Sequence, residues 1–377
     1  MPDLGRGVGW VRFCLRFLRV LREKTLFAIA VALLPLQSYA QSSVTLFGLL
    51  DNGVTYVSNS GGHSLVQAAS GIQAPNLLGM RIIEDLGGGF QTLVVMDSQP
   101  DLNTGENSGG AFTGRESYVG IASPYGTLTL GRQFDYMFDT LSIARWGHQI
   151  SYVSLYQLPG GPFAKLDSPL GTFDYTRIAG GEATPNAVKF TSKYYGGFSF
   201  GAMYGFSNIA GETGSNNLNS FGASYDNGPF RLDAAYTYSK EDGIDNGHAG
   251  IRNFGVGGRY DFGNFAFDYL YVNTRNTFTG AHVDSYEVGG LYKFAVDFFL
   301  YANYIYAKGN EQLTNNHSNQ AGITLDYLLS KRTDVYFNAI YQRASGGSDN
   351  FASVNGTFAT SSSPNQTVLR LGVLTLF

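Results

Sequence analysis

Gly197-Phe198-Ser199-Phe200-Gly201 has the G-x-S-x-G form that can set a nucleophilic serine on a sharp turn between a strand and a helix. Its surroundings break that interpretation. Phe198, Phe200, Ala202, Tyr204 and Phe206 alternate with Ser199, Gly201, Met203 and Gly205, which is the period of a strand. The match is a coincidence of strand alternation. A hydrolase would also need a histidine near its serine, and a metal enzyme would need clustered ligands. His63, His148, His248, His282 and His317 are scattered, with no metal-ligand spacing. Cys14 is the only cysteine and lies near the start, so the rest of the chain has no disulfide and no thiol chemistry. No Gly-rich phosphate loop and no basic nucleic-acid patch is present; the Gly-rich stretches fall where turns are needed.

The same alternation recurs along the chain. Phe230, Leu232, Ala234, Tyr236 and Tyr238 alternate with Arg231, Asp233, Ala235, Thr237 and Ser239. Phe254, Val256, Gly258 and Tyr260 do the same against Asn253, Gly255, Gly257, Arg259 and Asp261. One face is aromatic and aliphatic, and the other is small, polar or charged. A soluble sandwich alternates too, but three features favour lipid outside. The apolar face ends in Phe or Tyr, the polar face carries charges in mid-strand, and short turns alternate with long polar loops. The tight turns include Gly87-Gly88-Gly89, Asn227-Gly228-Pro229 and Gly263-Asn264. The long loops are residues 58–74, 99–113, 240–251 and 345–364. Past the first forty residues, no stretch has the apolar length of a transmembrane helix. A membrane-spanning chain of this kind must close into a barrel, because closure alone satisfies its strand hydrogen bonds in lipid. The segments predict an all-β, transmembrane antiparallel barrel of about sixteen strands.

Residues 1–40 have the form of a cleaved signal peptide. Arg12, Arg16, Arg19, Arg22 and Lys24 flank an apolar core at residues 26–36, and Ser38-Tyr39-Ala40 is a small-x-small cleavage site. The core is too short to span a bilayer comfortably. Cleavage leaves residues 41–377 as one barrel domain and takes the formal net charge from −4 to −8. Residues 135–185 are the longest part of the chain without a strand pattern. Their aromatics (Trp146, Tyr152, Tyr156, Phe163, Phe173, Tyr175) give them too much to bury for simple disorder. The expectation is a loop folded into the lumen, narrowing a pore.

The chain resembles the Gram-negative general-diffusion porins. The resemblance rests on "SSVTLFGLLDNGVTY" at residues 42–56, "EDLGGGF" at 84–90, "GRESYVGIASPYGTLTLGRQFD" at 114–135, "NAVKFTS" at 186–192, and a last strand that starts "NQT" and ends in Phe377. It covers essentially all of residues 41–377. It implies a trimeric, 16-stranded barrel of the bacterial outer membrane whose third loop folds inward. It further implies passive diffusion of small hydrophilic solutes and ions, with no catalysis and no cofactor. The implied partners are two further copies of the chain, outer-membrane lipid and lipopolysaccharide, and the barrel-insertion machinery, with no nucleic acid.

In that family, wall arginines face carboxylates on the inward loop. The matching positions are Arg81, Arg115, Arg132 and Arg177 for the basic wall, and Asp135, Asp139, Asp167 and Asp174 for the loop. Two departures stand out. Leu77 occupies a second-strand position where the family often has arginine, and Pro159-Gly160-Gly161 replaces a turn that usually carries an acid. Opposed fixed charges in a narrow, low-dielectric constriction sort solutes by charge. With fewer loop acids opposite retained arginines, the expectation is weak anion preference. Arg115 and Arg177 would be its main source, aided by Lys189, Lys193 and Arg259. Two alternatives stay open: a substrate-selective porin whose loop aromatics stack on sugars or aromatic acids, and a non-channel adhesin barrel reading through its long loops. Phe377 matches the terminal aromatic that resembles a barrel-assembly signal.

Overall fold

The computed structural model describes residues 42–107, 110, 112–141, 154–357 and 359–377. Residues 1–40, with the expected signal peptide, lie outside them, as do Trp146 and Tyr152. The alternating segments form seventeen strand pieces. The first six are β1 (Ser43–Ser60), β2 (His63–Ser70), β3 (Leu77–Gly87), β4 (Phe90–Ser98), β5 (Glu116–Ala122) and β6 (Gly126–Gln133). After the third loop come β7 (Thr184–Ser192), β8 (Phe198–Gly205), β9 (Leu218–Asn227), β10 (Phe230–Lys240) and β11 (Gly250–Asp261). The last six are β12 (Phe265–Asn276), β13 (His282–Lys293), β14 (Phe298–Gly309), β15 (His317–Leu328), β16 (Thr333–Ser345) and β17 (Asn365–Leu376). Paired strands are antiparallel, and β17 returns to β1, with Leu49 opposite Leu376 and Val57 opposite Val368. The sheet is closed.

β2 and β3 are two pieces of one wall strand. β2 pairs with the upper part of β1 (Asn52 opposite Ser70), and β3 with the lower part (Leu49 opposite Leu77). Residues 71–76 leave the wall between them, so the seventeen pieces make a sixteen-stranded barrel. The long polar loop expected at residues 58–74 is therefore mostly strand. Its eight-residue piece, HSLVQAAS, mixes small and polar residues too evenly for its alternation to stand out.

The burial pattern is inverted relative to a soluble protein. On β8, Phe198 and Phe200 are 61% and 58% exposed, while Ser199 and Met203 are buried. On β10, Phe230 and Leu232 face out, while Asp233, Ala235 and Thr237 are buried. Apolar side chains outside and polar ones inside give a lipid-facing wall around a polar interior. Short turns gather at one rim and long loops at the other.

Candidate functional site

The third loop enters the lumen through a short helix, α1 (Tyr136–Leu141). Asp135 caps it: its carboxylate accepts from the N–H groups of Met137 (2.8 Å) and Phe138 (3.4 Å). The helix lies against the wall because the wall there is glycine. A Cβ at Gly201 would come within 2.0 Å of the Tyr136 hydroxyl, and one at Gly222 within 2.5 Å of its ring. Gly in a strand interior often marks such a close approach. The Tyr136 hydroxyl donates to Phe190 O (2.6 Å), and Ser220 accepts from the Tyr136 N–H (2.9 Å).

Beyond the helix, the loop is tied to the far wall. Asn303 and Gln320 donate to the carbonyls of Gln157 and Tyr156, Ser318 donates to Gly160 O, and Thr324 donates to the Gln157 side chain. Asn276 and Asn253 reach the carbonyls of Leu166 and Tyr175. These wall residues point inward, so the loop crosses the interior as the sequence predicts. Tyr156, Phe163 and Tyr175 are 0–1% exposed. They are buried against the inner face of the wall, Phe163 and Tyr175 with Val283 and Ala307 and Tyr156 with Val57 and Val368, and present no stacking surface.

The turn that lacks an acid has a steric explanation. A Cβ at Gly160 would sit 2.5 Å from Ser353 O and 2.9 Å from Asn355 N. The last long loop descends there, and no side chain fits. Leu77, where an arginine was expected, packs with Leu49, Ala74, Tyr336 and Leu374.

The charges form pairs. Arg115 lies 3.1 Å from Asp97 and 3.6 Å from Glu116, with its guanidinium 4.6 Å from the Phe134 ring centre. Arg177 binds Asp135 at 2.6 Å and Glu182 at 3.2 Å. Lys189 pairs with Asp139 and donates to Phe134 O. Asp174 is buried and accepts from the N–H groups of Ala179 and Gly181, both at 2.8 Å. Burial pushes its pKa up to about 6, against the pull of those two N–H groups. Asp135 and Asp174 therefore hold the loop's own backbone, and only Asp139 and Asp167 of the four expected loop acids are exposed. Asp167 has no ion pair within reach among the described residues.

Arg81 and Arg132 separate. Arg81 alternates with the outward Leu78 and shares the inward face of β3 with Gly79, which lies against Asp97. It is exposed to the lumen. Arg132 has the outward parity of Leu128 and Leu130 and donates to Gly114 O at 2.6 Å, so it leaves the expected wall cluster. Its direction follows from plain alternation, because the pairing of β6 with β5 runs unbroken from Leu128 through Arg132. Ser199, of the G-x-S-x-G match, sits in β8 and donates to Ser192 O.

One cluster escaped the sequence reasoning. Arg370, on β17, is fully buried; it binds Asp51 at 3.1 Å and donates to Tyr336 at 2.7 Å and Thr55 at 3.0 Å. Tyr336 also donates to Asp51. Asp51 in turn accepts from the N–H groups of Ile72 and Gln73, holding residues 71–76 inward. The parity of Leu369 and Leu371 already placed Arg370 inside. Its importance was hidden because its partners lie more than 300 positions away or, like Tyr336, on another strand.

A closed sixteen-stranded wall with a loop tied across its interior matches what family comparison finds. The profile described as Gram-negative porin matches residues 26–347. The chain belongs to that family. Outer membrane porin protein 32 of Delftia acidovorans is 26% identical over 374 residues, covering 93% of this chain and 99% of the relative. The major outer membrane protein P.IB of Neisseria meningitidis serogroup A is 25% identical over 228 residues, covering 59% of this chain and 61% of the relative. The fold is that of an anion-selective porin from Comamonas acidovorans, with a TM-score of 0.73 at 21% identity, over 89% of this chain and all of that one. This porin is an outer-membrane channel for passive diffusion of small hydrophilic solutes and ions.

Proposed function

We propose that the barrel works as one pore of a homotrimer, does no covalent chemistry, and weakly prefers anions. The observation carrying the preference is the pattern of pairing. Arg115, Arg177, Lys189, Arg259 and Arg370 each face a carboxylate within ion-pair distance, so their fields largely cancel at a distance. Arg81 is exposed on the inward face with no carboxylate in that range among the described residues. The wall acids Asp268 and Glu287 are buried, bonded by Tyr301 and Asn303, and less open to the solvent path. Fixed charge acts most on ions where water is confined. The main source of preference thus moves from Arg115 and Arg177 to Arg81. The anion selectivity of the Comamonas porin supports the same sign by analogy.

The burial of Tyr156, Phe163 and Tyr175 favours general diffusion over a stacking slide for sugars. Residues 1–40 would direct export, and Phe377 would be read by the insertion machinery. Reversal potentials in a salt gradient test the preference. Anion preference in the wild type should weaken in Arg81→Ala and invert in Arg81→Glu. Cation preference in the wild type, or no shift in Arg81→Ala, refutes the assignment.

A further inference from the structure

One inward row of the wall crosses four strands. Thr55 of β1, Arg370 of β17, Asn338 of β16 and Thr324 of β15 lie side by side in register. All four are polar and face the interior, yet they are only 0–1% exposed. In a water-filled barrel an inward polar side chain stays wet unless something covers it. The third loop takes the two ends of the row. The Tyr156 hydroxyl donates to Thr55 at 3.2 Å, and Thr324 donates to the Gln157 side chain at 2.6 Å. The middle is reached by residues 71–76, the segment that leaves the wall between β2 and β3, with Asn338 donating to Gln73 at 2.9 Å. Arg81, further along the same wall strand, is exposed, so the closure does not extend down the whole strand.

A segment that leaves the sheet must find other partners for its backbone, and here one residue supplies most of them. Asp51 Oδ2 accepts from the N–H groups of Ile72 and Gln73 at 2.6 and 2.8 Å, and Asp51 O accepts from Gly71 at 3.0 Å. Asn76 closes the far end, accepting from the Asp51 N–H and donating to Pro100 O. Ile72, Gln73, Ala74 and Asn76 are all buried. The insert then meets the loop. The Leu155 N–H donates to Ile72 O at 2.9 Å, and both side chains join one apolar cluster with Leu158, Val354 and Val368. The far end of the loop thus rests on the insert as well as on the wall.

We propose that residues 71–76 are a wedge that seals the space between the third loop and the wall of β15, β16, β17 and β1, with Asp51 as the residue that positions it. The wedge sets where the far end of the loop stands, and with it the largest solute the channel passes. This role concerns size, is separate from the charge preference assigned to Arg81, and rests on the barrel being an open channel.

Swelling of proteoliposomes in neutral sugars of rising size, from arabinose to stachyose, tests the proposal. Asp51→Ala/Arg370→Met removes the anchor without leaving a buried charge unpaired. Its swelling rate in stachyose relative to arabinose should rise several-fold over the wild type. Gln73→Ala, which removes only the bond from Asn338, should shift the ratio less in the same direction, and it serves if the double variant does not insert. Residues 41–377 contain no cysteine, so Ile72→Cys/Leu155→Cys can be added to the leaky variant and oxidised to tie the insert to the loop. Oxidation should return the ratio to the wild-type value and reduction should release it, which a general loss of stability would not do. A wild-type ratio in the double variant, or in Gln73→Ala where the double variant does not insert, overturns the wedge. So does a raised ratio that oxidation leaves unchanged. No swelling by the wild type would remove the channel itself, whereas normal wild-type swelling with either of those results removes the wedge alone.

Discussion

Adding one methyl group at Gly222 should narrow the channel. In Gly222→Ala the new Cβ would lie 2.5 Å from Tyr136 Cδ1 and 2.7 Å from Thr140 Oγ1. Carbon atoms pack best at about 3.5–4.0 Å, so the ring must retreat by about 1 Å. Sliding along the wall is blocked, since the Tyr136 hydroxyl is bonded to Phe190 O and lies over Gly201. The ring and α1 must move away from the wall, into the lumen. Overpacking of this kind costs about 1–3 kcal/mol. The helix carries Asp139, the partner of Lys189, and follows Asp135, the partner of Arg177, so both ion pairs are disturbed. Single-channel conductance in planar bilayers should fall, and the thermal midpoint of the inserted barrel should drop. In Gly222→Ala/Tyr136→Ala the ring clash is gone and only the Thr140 hydroxyl, which can rotate away, still crowds the methyl, so the losses should couple rather than add, by about 1–3 kcal/mol. Wild-type conductance in Gly222→Ala, or simple additivity in the double variant, would show that the glycine slot does not position the loop.

Three further outcomes are expected. Asp174 holds its proton more tightly in the folded loop (pKa about 6) than its ordinary 3.8, so this group favours the native state at low pH, and the contribution is lost as pH rises from about 4 through 6. Asp174→Asn should therefore gain stability relative to wild type at pH 7 compared with pH 4, and parallel thermal midpoints at the two pH values would refute this. Arg370→Ala leaves Asp51 buried without its cation and should cost about 3–5 kcal/mol in urea unfolding from vesicles, with a loss below about 1 kcal/mol counting against the cluster. Deleting Phe377 should lower the heat-resistant, inserted fraction while export continues, and unchanged insertion would remove its role in assembly.

The barrel was legible because its signal is local. Each strand repeats the same two-residue period, so Phe198, Phe200 and Tyr204 announce their face without reference to any other strand. The inward loop was legible from its length and aromatic content. Parity held at Arg132, where the family match pointed the wrong way, and the strand pattern failed at residues 71–76, where one wall strand leaves the sheet and resumes. Charge partners were the least legible feature. Arg177 is 42 positions from Asp135 and Arg370 is 319 from Asp51, separations that only the closed topology brings together. Residue types suggested arginines facing acids, but not that most would be neutralised by neighbours on their own wall or loop.

The seam between β1 and β17 has a kinetic consequence. Residues 49–57 wait for residues 368–376, and the Gly48 and Phe377 backbones complete the seam by exchanging hydrogen bonds at 3.1 and 3.0 Å. Hairpins such as β12–β13 can pair as soon as they are made, but β1 keeps a free edge until nearly the whole chain is present. A free edge is a template for wrong pairing, and closing so long a loop is slow compared with zipping a hairpin. The last strand thus ends a period of vulnerability. Any circular permutation that joins β17 to β1 by a short turn should close this seam early and move the vulnerable edge to the strands at the new termini.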